Sequence, residues 1–182
     1  MAVLRRLASA LTLLCLLGGA RAAQGPAEYQ VKAVFLFNFT QFVDWPEKTF
    51  ADAQAPFVIG VLGRDPFGSA LDDAVRGERV NGRPLVIERF RSRAELKPCQ
   101  ILFIDRSASA EIEQTLDALE HTGTLTVSDF DSGSQHDVII RFLNENQKIR
   151  LRINVGSAHD AGLTISAKLL RPAEVVGTTG AG

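Results

Sequence analysis

Cysteine is scarce in this chain of 182 residues, with only Cys15 and Cys99 present. Cys15 falls in an N-terminal segment laid out as a secretory leader. Arg5 and Arg6 make a short positive region, Leu7 to Leu17 an apolar run broken by Ser9 and Thr12, and Ala20-Arg21-Ala22 places small residues where a signal peptidase reads. Long hydrophobic runs are also missing: this one is well short of the roughly 20 residues that cross a bilayer, which argues against a membrane anchor. Leu14 precedes Cys15 where lipid attachment needs a small residue, which argues against a lipoprotein. With residues 1–22 removed, 160 residues remain and Cys99 is their one thiol, so an intrachain disulfide is excluded even in a compartment that permits one. A chain of that size can rest on its core alone.

An excess of positive charge is absent as well. The chain carries 20 Lys and Arg against 21 Asp and Glu, and losing three arginines with the leader moves the net charge from −1 to −4. A mildly acidic surface argues against nucleic acid or anionic lipid as the main partner. What is present, 46% hydrophobic and 23% charged residues, is the make-up of one globular domain, expected over 27–176 with a flexible tail at 177–182.

Along that domain the pattern alternates. Val31, Phe35, Phe39, Phe42 and Val43 recur at helical spacing from Glu28 to Asp44, predicting an amphipathic helix stopped by Pro46. Phe35, Phe37 and Phe39 also alternate as a strand would. Leu36 and Phe37 lie off the helical stripe, so they are read either as buried under a loop or as a surface for a partner or a second copy. Phe57 to Leu62, Gln100 to Ile104 and Thr124 to Val127 are short apolar runs of the kind buried on both faces of a sheet. Helices are expected from Phe67 to about Arg76, with Asp65 as cap and Pro66 in the first position, and from about Ala110 to His121. Asn81-Gly82 suits a tight turn between two strands. Val138 to Leu143 and Ile149 to Ile153 flank Asn144 to Gln147 as an antiparallel hairpin, and Leu163 to Leu170 reads as strand or helix. The order predicts an α/β fold, a Rossmann-like three-layer sandwich whose sheet is mostly parallel with an antiparallel C-terminal edge hairpin.

Catalytic signatures are lacking too. A dinucleotide site needs G-x-G-x-x-G after a strand, whereas Gly63-Arg64-Asp65-Pro66-Phe67-Gly68 has one early glycine and a proline where an amide would face phosphate. No phosphate loop and no nucleophile elbow occur. His121, His136 and His159 are isolated, without zinc spacing, and read as exposed loop residues. Cys99 enters a buried strand as a small apolar residue. No catalytic residue, metal or cofactor is therefore assigned. Arg64 and Asp65, Asp105, Arg106 and Ser107, and Ser128 and Asp129 all follow strands that run the same way, so they gather at one sheet edge, the usual place for a small-molecule ligand. The alternative is that Asp65, Ser107, Ser128 and Asp129 only cap helices and turns.

Five segments in order resemble the YfiR family (DUF4154) from about Glu28 to Val176. They are E-Y-Q-V-K-A-V-F-L-F-N-F-T-Q-F-V-D-W-P ending at Trp45-Pro46, V-L-G-R-D-P-F-G at 61–68, V-N-G-R-P-L at 80–85, P-C-Q-I-L-F-I at 98–104, and R-L-R-I-N-V-G-S-A-H-D-A-G-L-T-I-S-A-K-L-L-R-P-A at 150–173. The resemblance implies a non-enzymatic periplasmic homodimer that binds the periplasmic sensor domain of an inner-membrane diguanylate cyclase and restrains cyclic-di-GMP output, hence biofilm formation. It assigns no catalytic role to Trp45, Gly63, Gly68, Asn154, Gly162 or Ser166. Characterised members carry cysteine pairs linked to a redox response, and Cys99 alone cannot supply one.

Overall fold

The structure, a computed structural model, describes residues 25–133 and 137–177. The expected leader, His136 and the tail beyond Gly177 lie outside the described residues. Helix α1 (Pro26–Phe42) has proline in its first turn, where the missing N–H costs nothing, and ends as Val43 turns extended. Its inward face is Lys32, Ala33, Leu36, Phe39 and Thr40, all buried, while Val31 and Val34 are exposed. The helix expectation holds, but the face is turned by about one residue, or about 100°. Of the two residues read either as buried or as a partner surface, Leu36 has no exposed surface and so offers no contact face, and Phe37 is half-buried against the core. The turned face has a physical cause: Lys32 is drawn inward by two carboxylates, and Leu36 follows it one turn later.

After α1, β1 (Val43–Asp44) pairs antiparallel with β9 (Thr164–Ile165), and β2 (Phe57–Leu62) is buried over its whole length. Trp45 donates its indole N–H to the Gln100 carbonyl at 3.1 Å. The buried Gln100 side chain accepts from Val58 N and donates to Thr49 O, at 2.8 and 2.9 Å, so no part of this amide is stranded. Helix α2 (Ser69–Val75) starts later than expected. Asp65 caps the Phe67 amide within a turn, Gly68 takes φ 54°, and Pro66 stands outside the helix. Strands β3 (Arg79–Val80) and β4 (Arg83–Phe90) flank Asn81-Gly82, both at positive φ as this hairpin demands.

Strand β5 (Ile101–Ile104) leads through a 3-10 segment, Arg106–Glu111, into α3 (Ile112–Leu119), and β6 (Leu125–Ser128) follows. The hairpin β7 (Ile140–Glu145) and β8 (Lys148–Asn154) turns on Asn146-Gln147, fewer residues than expected. Helix α4 (Val155–Asp160), β9, α5 (Ala167–Leu170) and β10 (Glu174–Val176) complete the order, so Leu163 to Leu170 is strand and then helix.

Among the described residues eight strands form one sheet in the order β10-β8-β7-β6-β5-β2-β4-β3. β4, β2, β5, β6 and β7 are mutually parallel, β8 is antiparallel to β7, and β10 lies parallel outside it. The expected hairpin is present, but β10 takes the edge. Strand alternation divides the core. Phe57, Ile59 and Val61 face α1 and α2, whereas Val58 and Leu62 face α3. This is the expected three-layer α/β/α sandwich, and its chain reverses direction across the sheet between β2 and β5.

Candidate functional site

The C-terminal ends of β2, β5 and β6 do meet at one edge. Gly63 takes φ 96°, which frees the next amide to turn toward β5. There Arg64 N donates to Ser107 Oγ at 2.8 Å, so the two loops at the reversal point are bonded to each other. The carboxylates of this ledge have internal partners. Asp105 accepts from Ser107 N at 2.8 Å and caps the 3-10 segment. Asp65 accepts from Phe67 N at 2.8 Å and from Arg89 Nε at 2.7 Å, and Arg89 also reaches Asp72 at 2.6 Å. Those hydrogen bonds, that to Asp72 foremost, hold the Arg89 guanidinium above its ordinary range. Ser128 is buried and donates to Phe130 O at 3.2 Å.

Asp129 belongs to a buried cluster. Its side chain is 4% exposed and lies 2.6 Å from Lys32 Nζ, itself 1% exposed. The Tyr29 hydroxyl donates to the same oxygen at 2.9 Å. Lys32 also lies 2.6 Å from Glu28, one turn back on α1, and 4.5 Å from the Tyr29 ring centroid. The far oxygen of Glu28 accepts from Asn144 Nδ2 at 2.9 Å. Burial, followed by the Asp129 charge and hydrogen bond, pushes the Tyr29 phenol above its usual range. The arrangement is a dry ionic clamp: a desolvated cation is tolerated only because carboxylates face it, and it pins the first turns of α1 over the end of β6.

Two residues of the ledge are left outward. Arg64 and Arg106 are exposed, Arg106 lies 5.1 Å from the Phe130 ring centroid, and neither has a carboxylate partner among the described residues. The ledge therefore presents two guanidiniums outward, while Asp105, bonded to a neutral backbone amide, keeps its negative charge beside them. Sequence reasoning missed Glu28, Tyr29 and Lys32. The signal was E-Y-x-x-K in the opening motif, which sets Glu28 and Lys32 four apart on one helical face.

Other reactive groups are accounted for. Cys99 is 5% exposed, and burial, then the Glu88 charge, pushes its thiol up to about 12, so it is not a thiolate at neutral pH. His121 and His159 are exposed. Among the described residues no group of three or more His, Cys, Asp or Glu is placed to hold a metal ion, and no helix is long and apolar enough to cross a membrane.

No curated protein matches the chain. The YfiR/HmsC-like family model (DUF4154) spans residues 29–174, from the Tyr29 that closes the ionic clamp to the Glu174 that opens the edge strand, and the chain belongs to that family.

Proposed function

We propose that this protein is a non-enzymatic periplasmic regulator that binds the periplasmic sensor domain of an inner-membrane diguanylate cyclase and holds cyclic-di-GMP output down. The observation that carries the reading is the family match across 29–174. Binding to one of two states of a membrane partner shifts the balance between them, and the shift is felt on the far side of the bilayer. Export is part of the proposal, and it rests on the leader-like pattern of residues 5–22. The homodimer implied by the resemblance belongs to it as well, and sedimentation of the mature chain tests it. Deleting the gene should raise cyclic-di-GMP and surface attachment, and the mature chain should co-purify with a membrane cyclase. Unchanged cyclic-di-GMP in the deletion strain refutes the regulatory role.

A second reading, a periplasmic ligand-binding module without a cyclase partner, is favoured by Arg64 and Arg106. Two exposed guanidiniums, on loops joined by the bond from Arg64 N to Ser107 Oγ, suit a small anion. Thermal-shift measurement with nucleotides and dicarboxylates tests it, with the double change Arg64→Ala and Arg106→Ala expected to remove any effect.

A further inference from the structure

A cavity of about 270 Å³ opens at the opposite edge of the sheet from the arginine ledge, on the α3 face. Its position follows from the elements around it. Thr124 precedes β6, Ile139 precedes β7, and Asn154 ends the antiparallel β8, so all three mark the N-terminal ends of the parallel strands. Leu116, Asp117 and Leu119 of α3 stand on one side of it, and Ser157, Asp160 and Ala161 at α4 on another.

The lining is chemically one-sided. Leu116 and Leu119 of α3, with Ile139 and Ala161, supply apolar walls. Thr124 and Thr126, each 4% exposed, lie on the sheet side. The Thr124 hydroxyl donates to the Cys99 carbonyl at 2.9 Å. The Thr126 hydroxyl accepts from the Ile139 amide at 3.0 Å, and no described residue takes its proton. A buried hydroxyl with an unplaced proton beside an open space marks a position where an acceptor belongs. At the rim stand Asp117, Glu120, Asp137 and Asp160, while among the described residues no lysine or arginine lines the cavity. Asp137 is neutralised by Arg141 at 2.7 Å. Among the described residues, Glu120 pairs with His121 and Asp160 with His159, each at 3.6 Å, and these imidazoles are charged only when protonated; His121 Nδ1 also lies 2.8 Å from the Asp160 carbonyl.

We propose that this cavity is a binding site for a small cationic molecule, an amine with a compact apolar body and a hydrogen-bond acceptor. The ammonium sits at the acidic rim formed by Glu120 and Asp160, beside the His121 ring that reaches both residues, the body lies against Leu116 and Leu119, and the acceptor meets Thr126. The volume is at the small end for ligand sites, which sets the size at a single ring or a short chain. This site is independent of the cyclase reading and carries the opposite charge preference from the arginine ledge.

The test is thermal melting of the mature chain with tyramine, phenethylamine and pentylamine, each against the carboxylate of the same skeleton. At a hundredfold excess over Kd the best amine raises Tm by roughly 5 to 10 °C, with tyramine, which brings an acceptor, ahead of phenethylamine. The carboxylates leave it unchanged. The double variant Glu120→Gln, Asp160→Asn, both exposed positions, weakens amine binding at least tenfold by calorimetry. Leu116→Trp abolishes it by filling the space, with far-UV circular dichroism as the check on folding. Arg64→Ala leaves amine binding intact and serves as the remote control. If no amine shifts Tm, if the carboxylates shift it equally, or if the double variant binds amines as the parent does, the proposal is overturned.

Discussion

Replacing Lys32 with methionine removes the cation between Glu28 and Asp129 while keeping the length and volume of the side chain. Both carboxylates lie 2.6 Å from its ammonium, and the Asp129 side chain is 4% exposed. Among the described residues, the variant leaves Asp129 with only the Tyr29 hydroxyl. Stranding one member of a buried pair costs about 3–5 kcal/mol. With a urea dependence of about 2 kcal/mol per molar, the midpoint falls by about 1.5–2.5 M. The assay is equilibrium urea unfolding of the mature chain, followed by the fluorescence of Trp45. The double change Lys32→Met, Asp129→Leu removes both charges and recovers at least half the loss, because Glu28 keeps its bond to Asn144. A single variant within about 1 kcal/mol of the parent refutes the clamp, as does a double variant less stable than the single.

Tyr29 is the one tyrosine in the chain, so absorbance at 295 nm reports it alone. Its folded phenol is held above the ordinary value by burial and Asp129, so it stays protonated through pH 10 in the native state and ionises there in urea. Cys99 shares the sign. Its thiol rises to about 12 on folding, so the contribution is complete below the unfolded value near 8.5 and is lost as pH climbs toward 12, seen as a Tm that falls in that window. Gly60→Ala places a methyl 2.9 Å from Leu102 and 3.0 Å from Phe90, and overpacking of this kind costs about 1–3 kcal/mol in urea unfolding. Gln100→Leu strands Val58 N and Thr49 O, at roughly 1–3 kcal/mol for each group, and alters Trp45 emission through the neighbouring carbonyl.

The parallel strands were legible because burial on both faces leaves no room for polar alternation: FVIGVL at 57–62 can be little else. Hairpins were legible where the turn chemistry is local, as at Asn81-Gly82. The inward face of α1 was not, because the partner that draws Lys32 inward stands 97 residues away, and a lysine by itself reads as solvated. The start of α2 misled for a related reason. Asp65-Pro66 has the form of a cap and first turn, yet Arg89, 24 residues on, fixes the Asp65 side chain in a turn outside the helix. At the ledge, the gathering of Arg64, Asp105, Ser107 and Asp129 follows from strand direction alone. Which of them remain free depends on long-range pairs such as Arg89 with Asp65, and these leave no trace in local spacing. The cavity beside α3 is invisible in sequence, since its walls come from segments as far apart along the chain as Leu116 and Ala161.

The clamp also bears on the order in which the molecule assembles. Helix α1 is made early, yet its anchors come late: Asp129 lies 97 residues after Lys32, Asn144 lies 116 after Glu28, and β1 waits for Ile165 in β9. Contacts this remote delay the folding step until most of the polypeptide is available. A growing chain therefore has nothing with which to lock its own beginning until the last third arrives and closes the structure.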